Sequence, residues 1–284
     1  MHKLSVRLLT AALLLGLGGP VAEAANSLKC IVTQQDGVPA AKIEMILIHN
    51  TTAKEWKKKT NDKGEVEFKG LPDGAYHLEG ALQGFLLTKA SDIELSGNVN
   101  KTCGPVFVSI NVLNQLLTEA NNATRSGNPD AAIEKGKTAL ELAPNIANPH
   151  IVLAIAYAKK GMVPEALAAA KRAAELDPEQ FGALEKSVHM EALNTQASQF
   201  LAQKNFDGAI AKYKEIAAFA PNEGLVYYNI ALAYGHKGDF DNAIKSIDKA
   251  IELAPDDLEF KQRKLQLQDL YLKSTEKALD LSGK

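Results

Sequence analysis

Leu140-Glu141-Leu142-Ala143-Pro144 is the first of four endings of one kind. The others are Glu175-Leu176-Asp177-Pro178, Ala217-Ala218-Phe219-Ala220-Pro221 and Ile251-Glu252-Leu253-Ala254-Pro255. Their prolines stand 34, 43 and 34 residues apart. A period of 34 belongs to two helices joined by a tight turn and stacked into a solenoid. Such a unit cannot bury its apolar face alone, so its neighbours supply the core and the array curves around a concave surface. The proline closes each unit because it drives the residue before it out of the helical region.

Counting back from each proline brings the remaining residues into step. The second unit carries Leu153, Ala154 and Tyr157 on its first helix, Gly161 at the turn, then Ala166, Ala170 and Ala173. The fourth repeats this with Ile230, Ala231, Tyr234, Gly238, Phe240, Ala243, Ile247 and Ala250. The third has Ala197, Phe200, Phe206, Ala209, Tyr213 and Ile216; the first, more weakly, has Ala120, Ala123, Gly127, Ala132, Gly136 and Ala139. Small residues let antiparallel helices approach and larger ones plug the gaps. These residues resemble the tetratricopeptide repeat family. The resemblance implies an all-α superhelix over residues 111–256, built of four units, with a groove for another chain and no catalytic group of its own.

Two departures stand out. The long third interval falls at Glu179 to Met190, where Phe181, Leu184, Val188 and Met190 suggest added turns on the third unit's first helix. After Pro255, residues 257–284 read as a capping helix, with Leu258, Leu265, Tyr271 and Leu272 facing the preceding unit.

In the family, the groove is lined by the first helix of each unit. By register this selects Asn121 and Arg125, then Ile151, Ile155 and Lys159, then Asn194 and Ser198, then Tyr228, Asn229 and His236. Asparagines there would hold the backbone of an extended peptide, and Ile155 and Tyr228 would give apolar contact. Some members grip a terminal carboxylate with a basic clamp. Leu117 stands where its first lysine is expected, so the clamp is incomplete and that specificity is not carried over.

Residues 26–110 read differently. Ser27–Gln34, Lys42–His49, Ala53–Thr60, Glu65–Lys69, Tyr76–Ala81, Leu86–Leu95 and Pro105–Val112 are short β-compatible runs. Asp36-Gly37, Asn61-Asp62-Lys63-Gly64, Pro72-Asp73-Gly74 and Gly97-Asn98 separate them as turns. The order of turns and the segment Leu71-Pro72-Asp73-Gly74-Ala75-Tyr76 resemble the carboxypeptidase regulatory-like family. That resemblance implies a seven-stranded transthyretin-like β-sandwich and an accessory role. The expected fold is therefore multi-domain, α and β, with an N-terminal β-sandwich before an all-α superhelix. Lys57-Lys58-Lys59 reads as a solvated edge that discourages strand-to-strand association. Three Asn-x-Thr triplets, at Asn50, Asn100 and Asn122, match the glycosylation pattern and, with the chain expected to be a bacterial export, are read as chance matches.

The chain begins as an exported one does. Lys3 and Arg7 precede the apolar run Leu8 to Gly19, and Ala22-Glu23-Ala24 supplies a cleavage pattern. The run is too short for a bilayer, which needs about 20 residues, so residues 1–24 read as a signal peptide and no integral membrane segment remains after cleavage. Export, most simply to the periplasm of a Gram-negative cell and otherwise to the medium, fits the two cysteines. In an oxidising compartment Cys30 and Cys103 most simply form one disulfide; a metal site would need more ligands than two distant cysteines offer.

Composition excludes little else. The 284 residues are 46% hydrophobic and 23% charged, with a net charge of −2. No basic excess points to nucleic acid. The histidines beyond the signal, His49, His77, His150, His189 and His236, show no metal-ligand spacing, and no phosphate loop or nucleophile elbow is present. No enzyme and no cofactor is implied. The sequence thus points to an exported adaptor or scaffold binding a protein or peptide partner. One alternative is carbohydrate or cell-wall recognition by the β-domain through Trp56 and Tyr76, with the repeats as spacer. Another is a structural envelope component that associates with itself.

Overall fold

The structure, a computed structural model, describes residues 26–88, 90 and 93–282, with side chains as far as residue 276. The expected signal segment lies outside the described residues. In chain order the strands are β1 (Asn26–Ile31), β2 (Thr33–Gln34), β3 (Glu44–His49), β4 (Glu55–Lys59), β5 (Glu65–Leu71), β6 (Gly74–Gly80), β7 (Phe85–Thr88), β8 (Ile93–Leu95), β9 (Asn100–Cys103) and β10 (Val106–Ser109). The helices follow: α1 (Ile110–Arg125), α2 (Pro129–Leu142), α3 (Ala147–Lys160), α4 (Val163–Leu176), α5 (Pro178–Phe181), α6 (Leu184–Ala202), α7 (Phe206–Phe219), α8 (Gly224–Lys237), α9 (Phe240–Leu253) and α10 (Leu258–Ser282). A β-rich region precedes a helical array, as the patterning implies.

The chain forms two compact units that alternate along the sequence. One takes in the described residues up to Thr33 with Gly37–Ala81 and Ala90–Pro105; the other takes Gln34–Asp36, Leu82–Lys89 and the chain from Val106 onward.

The first unit holds a three-stranded sheet, β5-β1-β9, and a four-stranded sheet, β4-β3-β6-β8. β1 runs antiparallel to β5 and parallel to β9, which sets Cys30 beside Cys103. They form the expected disulfide, with Cα atoms 4.5 Å apart. Alternation decides the faces: Met45, Leu47 and His49 of β3 are buried while their neighbours are less so. Fully buried Asn26 is satisfied on both sides of its amide. Its Nδ2 donates to Leu71 O (3.1 Å) and Asp73 Oδ1 (2.8 Å), and its Oδ1 accepts from Val99 N–H (2.8 Å). Gly74 is required where it stands: its φ is +150° and a Cβ would sit 2.3 Å from His49 Nε2. Lys57–Lys59 lie on β4, an edge strand, and Lys58 Nζ donates to Glu67 O at 2.6 Å.

Three readings of the strands are corrected, and one strand, β9, was missed. Ser27–Gln34 is two strands, β1 and β2, placed in different sheets. Leu86–Leu95 is two strands, β7 and β8, placed in different sheets. Pro105–Val112 is strand only to Ser109, since α1 starts at Ile110. β9, the polar Asn100–Cys103, has no apolar alternation to announce it and is held by its pairing to β1.

The second unit opens with the ribbon β2-β10-β7 and continues as helix pairs α1/α2, α3/α4, α6/α7 and α8/α9. Ala154, Ala158, Ala166 and Ala170 are at most 1% exposed, as close helix crossings demand. At Gly136 a Cβ would stand 2.9 Å from Leu153 Cδ2, so α2 and α3 approach closely enough there that any side chain would have to displace Leu153. Each turn within a pair contains one left-handed residue: Gly127 (φ +75°), Gly161 (+78°), Lys204 (+56°) and Gly238 (+84°). The next residue's N–H, from Asn128, Met162, Asn205 or Asp239, then closes on a carbonyl of the preceding helix at 2.8 to 3.0 Å. Asn128, Asn205 and Asp239 also cap the second helix, accepting from Ala131, Gly208 and Asn242 N–H. Met162 cannot.

The long third interval becomes the separate short helix α5 and a first helix, α6, of 19 residues where α3 and α8 have 14. At one end of the array Leu86 of β7 packs on the cluster of Leu113, Leu117, Ala139 and Val152. At the other, α10 buries Phe260 and Leu267, 5% and 3% exposed. The expectation that Leu258, Leu265 and Leu272 face the repeats is overturned, for they are 70%, 67% and 60% exposed. Phe260 and Leu267 share the same seven-residue spacing, and the aromatic ring, stacked on Tyr228, sets the phase. Tyr271 does turn inward, its ring 6.3 Å from that of Phe240.

Candidate functional site

The first helices of successive pairs touch side by side, α1 with α3 and α3 with α6. Two hollows of about 270 Å³ each lie between them. The first is lined by Leu117 and Asn121 of α1 and by Asn148, Ile151 and Val152 of α3. The second is lined by Ile155, Ala158 and Lys159 of α3 and by Leu184, Ser187, Val188 and Glu191 of α6. Asn121, Ile151, Ile155 and Lys159 are therefore brought together on one run of surface. Lys159 Nζ meets Glu191 Oε1 at 2.6 Å across the second hollow, both side chains being nearly half exposed. An ion pair so solvated is worth little to stability, and it presents both signs of charge beside an apolar floor.

The other sequence-derived residues divide. Arg125 is exposed in the last turn of α1. Asn194 is half-buried on α6, and Ser198 is exposed and bonds the hydroxyl of Tyr213 within its own repeat. Burial pushes the Tyr213 phenol up from its ordinary value, and the Ser198 bond partly opposes this. Asn229 is half-buried. His236 is exposed but stacks on Phe206, ring centroids 5.9 Å apart. Tyr228 is a correction: it is buried, stacked on Phe260 at 5.0 Å, and its hydroxyl donates to Glu259 Oε1 at 2.6 Å. Burial, then the Glu259 contact, raises its pKa, while Arg263 acts the other way. The α10 helix occupies the place at the fourth repeat that stays open beside Ile151.

Register missed Asn148, Leu184, Ser187, Val188 and Glu191. Leu184, Ser187 and Val188 lie on the extended start of α6 that the other repeats lack, so a position carried over from a 34-residue unit cannot reach them, whereas Glu191 stands 30 residues before Pro221 as Asn148 does before Pro178. Their signal was the spacing of Leu184, Val188 and Glu191 by four and three, one helix face.

The described histidines have structural partners. His150 Nε2 lies 3.0 Å from Pro144 O, His77 Nδ1 lies 2.6 Å from Asn50 Oδ1, and His189 stacks on Phe219. His49 Nδ1 accepts from Thr51 and Thr52 N–H. Among the described residues no group of three His, Cys, Asp or Glu is placed to hold a metal, and no helix is long and apolar enough to cross a membrane. Tyr76 is fully buried with its hydroxyl donating to Pro72 O at 2.7 Å, which removes it from the surface that a glycan would meet.

Comparison with known proteins bears on the helical segments. Tetratricopeptide repeat profiles match residues 117–181 and 225–257, so these segments are tetratricopeptide repeats. No curated protein matches the chain. Among solved structures, residues 41 to the end of MamA from Desulfovibrio magneticus RS-1 are 20% identical, covering 61% of this chain and 94% of that one, with a TM-score of 0.36. A thermophilic TPR protein from Thermus thermophilus is 23% identical over 55% of this chain and 81% of its own, with a TM-score of 0.33. A tetratricopeptide repeat protein from Parabacteroides merdae ATCC 43184 is 16% identical over 58% and 62%, with a TM-score of 0.39.

Proposed function

We propose that this chain is an exported, non-enzymatic adaptor that holds an extended segment of a partner protein across α1, α3 and α6. The observation that carries this reading is the pair of adjacent hollows floored by Ile151, Val152, Ile155 and Val188 and edged by Asn121, Asn148 and the Lys159–Glu191 pair. Apolar floors would accept side chains of the segment, and the asparagine amides would bond its backbone. Tetratricopeptide arrays use their concave face in this way. Export is supported by the charge and apolar pattern of residues 1–24 and by the Cys30–Cys103 disulfide, a bond that persists in oxidising compartments. The β-rich region is read as an accessory domain of carboxypeptidase regulatory-like type, supported by Gly74 and the Tyr76 hydroxyl bond to Pro72.

Crosslinking and pull-down from the envelope fraction with the mature protein tests this. Ile155→Asp, which charges the floor of the second hollow, abolishes capture of the partner if the reading holds, while circular dichroism stays unchanged. Undiminished capture by Ile155→Asp and by Asn121→Ala together removes the groove assignment.

A further inference from the structure

Leu258, Leu265 and Leu272 lie seven residues apart on α10, about two helical turns each, and form one line along the helix. The packed residues Phe260 and Leu267 lie on the opposite side. The leucine line is thus directed away from the repeats, with three large apolar side chains 60–70% exposed. A seven-residue apolar line is the seam by which one helix packs along another.

What borders the line identifies its occupant. Exposed Lys261 lies one turn before Leu265 and exposed Asp269 one turn after it. Asp257 and Lys273 lie at the two ends. Asp257 caps α10 by accepting from Phe260 N–H at 3.1 Å, and Lys273 Nζ meets Asp269 Oδ2 at 2.7 Å. A two-fold axis through Leu265 sets an antiparallel copy of the helix against the first. Leu258 then opposes the partner's Leu272, Lys261 opposes the partner's Asp269, and Asp257 opposes the partner's Lys273. Gln262 opposes the partner's Gln268. Lys261, Asp269, Asp257 and Lys273 each meet their opposite, while Glu276, one turn beyond Leu272, falls past the N-terminal end of the partner's α10. A parallel pairing in register would instead set Lys261 against Lys261 and Asp269 against Asp269. Charges at a helix seam fix orientation and partner in this way.

We propose that this face is a homodimer interface, with α10 packed antiparallel on α10 of a second copy about a two-fold axis at Leu265. Such an interface is closed and self-complementary. It uses a surface separate from the α1–α3–α6 hollows, so two partner segments could be held by one dimer.

Sedimentation equilibrium of the mature protein across the micromolar range tests it. The wild type is expected to associate to a dimer and no further. Leu265→Lys, which places like charges on the axis, should weaken association by about thirtyfold, as for a residue at an interface centre. Lys261→Asp should weaken it about tenfold, one charge pair made repulsive on each side of the axis. Lys261→Asp/Asp269→Lys should return it to within about threefold of wild type, because each charge again meets its opposite. Both native cysteines are bonded, so an added thiol reports orientation. Leu258→Cys mixed with Leu272→Cys should form an oxidised heterodimer, and neither should crosslink alone. Crosslinking of Leu258→Cys with itself, an unrescued double swap, or a wild type that stays monomeric because another segment or protein covers the line overturns the proposal. Ile155→Asp should dimerise normally, which separates this outcome from that of the groove.

Discussion

Lys204 takes the left-handed backbone position that Gly161 takes one repeat earlier. Their φ angles are +56° and +78°, and each is followed by a residue whose N–H closes the turn on the preceding helix. The turn geometry is the same and only one of the two residues suits it. A side chain in this region costs roughly 1–2 kcal/mol against the preceding carbonyl.

Lys204→Gly should therefore stabilise the protein. Part of the relief is offset by the greater freedom of glycine in the unfolded chain, leaving about 0.5–1 kcal/mol. A higher urea midpoint of the helical transition checks this. An unchanged or lower midpoint would mean that the lysine is better accommodated than its φ implies.

Met162 has the backbone dihedrals of a capping residue, φ −86° and ψ 79°, close to those of Asn205 and Asp239, but no side-chain acceptor. Met162→Asp should supply the missing bond to the third N–H of α4 and place a negative charge at its N-terminus. The gain is about 1 kcal/mol before any loss of half-buried methionine contact. Thermal unfolding monitored by helical ellipticity measures it. Equal effects of Met162→Asp and Met162→Ala would remove capping as the cause.

Asp239 makes stability depend on acid. The Asn242 side chain first, and its backbone N–H, hold the Asp239 carboxyl below its ordinary value of 3.8, burial opposing them. A carboxylate depressed in the folded state contributes its stability above the unfolded value, and the contribution is lost as pH falls through the folded one. Asp239→Asn keeps an acceptor for the cap but cannot titrate. Its melting temperature should fall less than that of wild type between pH 7 and pH 3, and identical slopes would count against the assignment.

The Cys30–Cys103 disulfide closes a loop of 73 residues within the first unit. Its loss removes roughly 4 kcal/mol by the chain-entropy estimate. Cys30→Ser/Cys103→Ser should lower the transition of the β-rich unit, followed through Trp56 fluorescence, and leave the helical signal nearly unchanged. A fall of equal size in both signals would show that the two units unfold together.

The repeats were legible because their restraints are local. Pro144, Pro178, Pro221 and Pro255 end helices by their own stereochemistry, and alanines such as Ala166 and Ala243 mark crossings where a larger side chain cannot enter. Gly161 and Gly238 announce turns for the same reason. Tyr228 misled because its neighbour is α10, a helix outside the repeat period, and the tyrosine's register cannot say which surface is covered next. The leucines of α10 misled because two apolar lines share one helix and only packing chooses between them. The division of Leu86–Leu95 into β7 and β8 depends on partners far away in sequence, and β9 carries no pattern at all. Asn121, Ile151, Ile155 and Lys159 survive in the candidate site because they sit on unmodified units, whereas Leu184 and Val188 belong to the elongated start of α6.

The ribbon formed by Gln34, β7 and β10 bears on how the protein is made. Leu86 shields Leu113 and Leu117, and Gln35 Oε1 accepts from Ser109 N–H, 74 residues further along. On the ribosome, these early strands must wait for their mates until the strand before α1 has emerged. A fragment begun at residue 110 would present a bare greasy end to water. Secretion in an unfolded state would suit a polypeptide whose helical unit borrows pieces from so early in the chain, since every piece can then settle once the whole molecule has crossed.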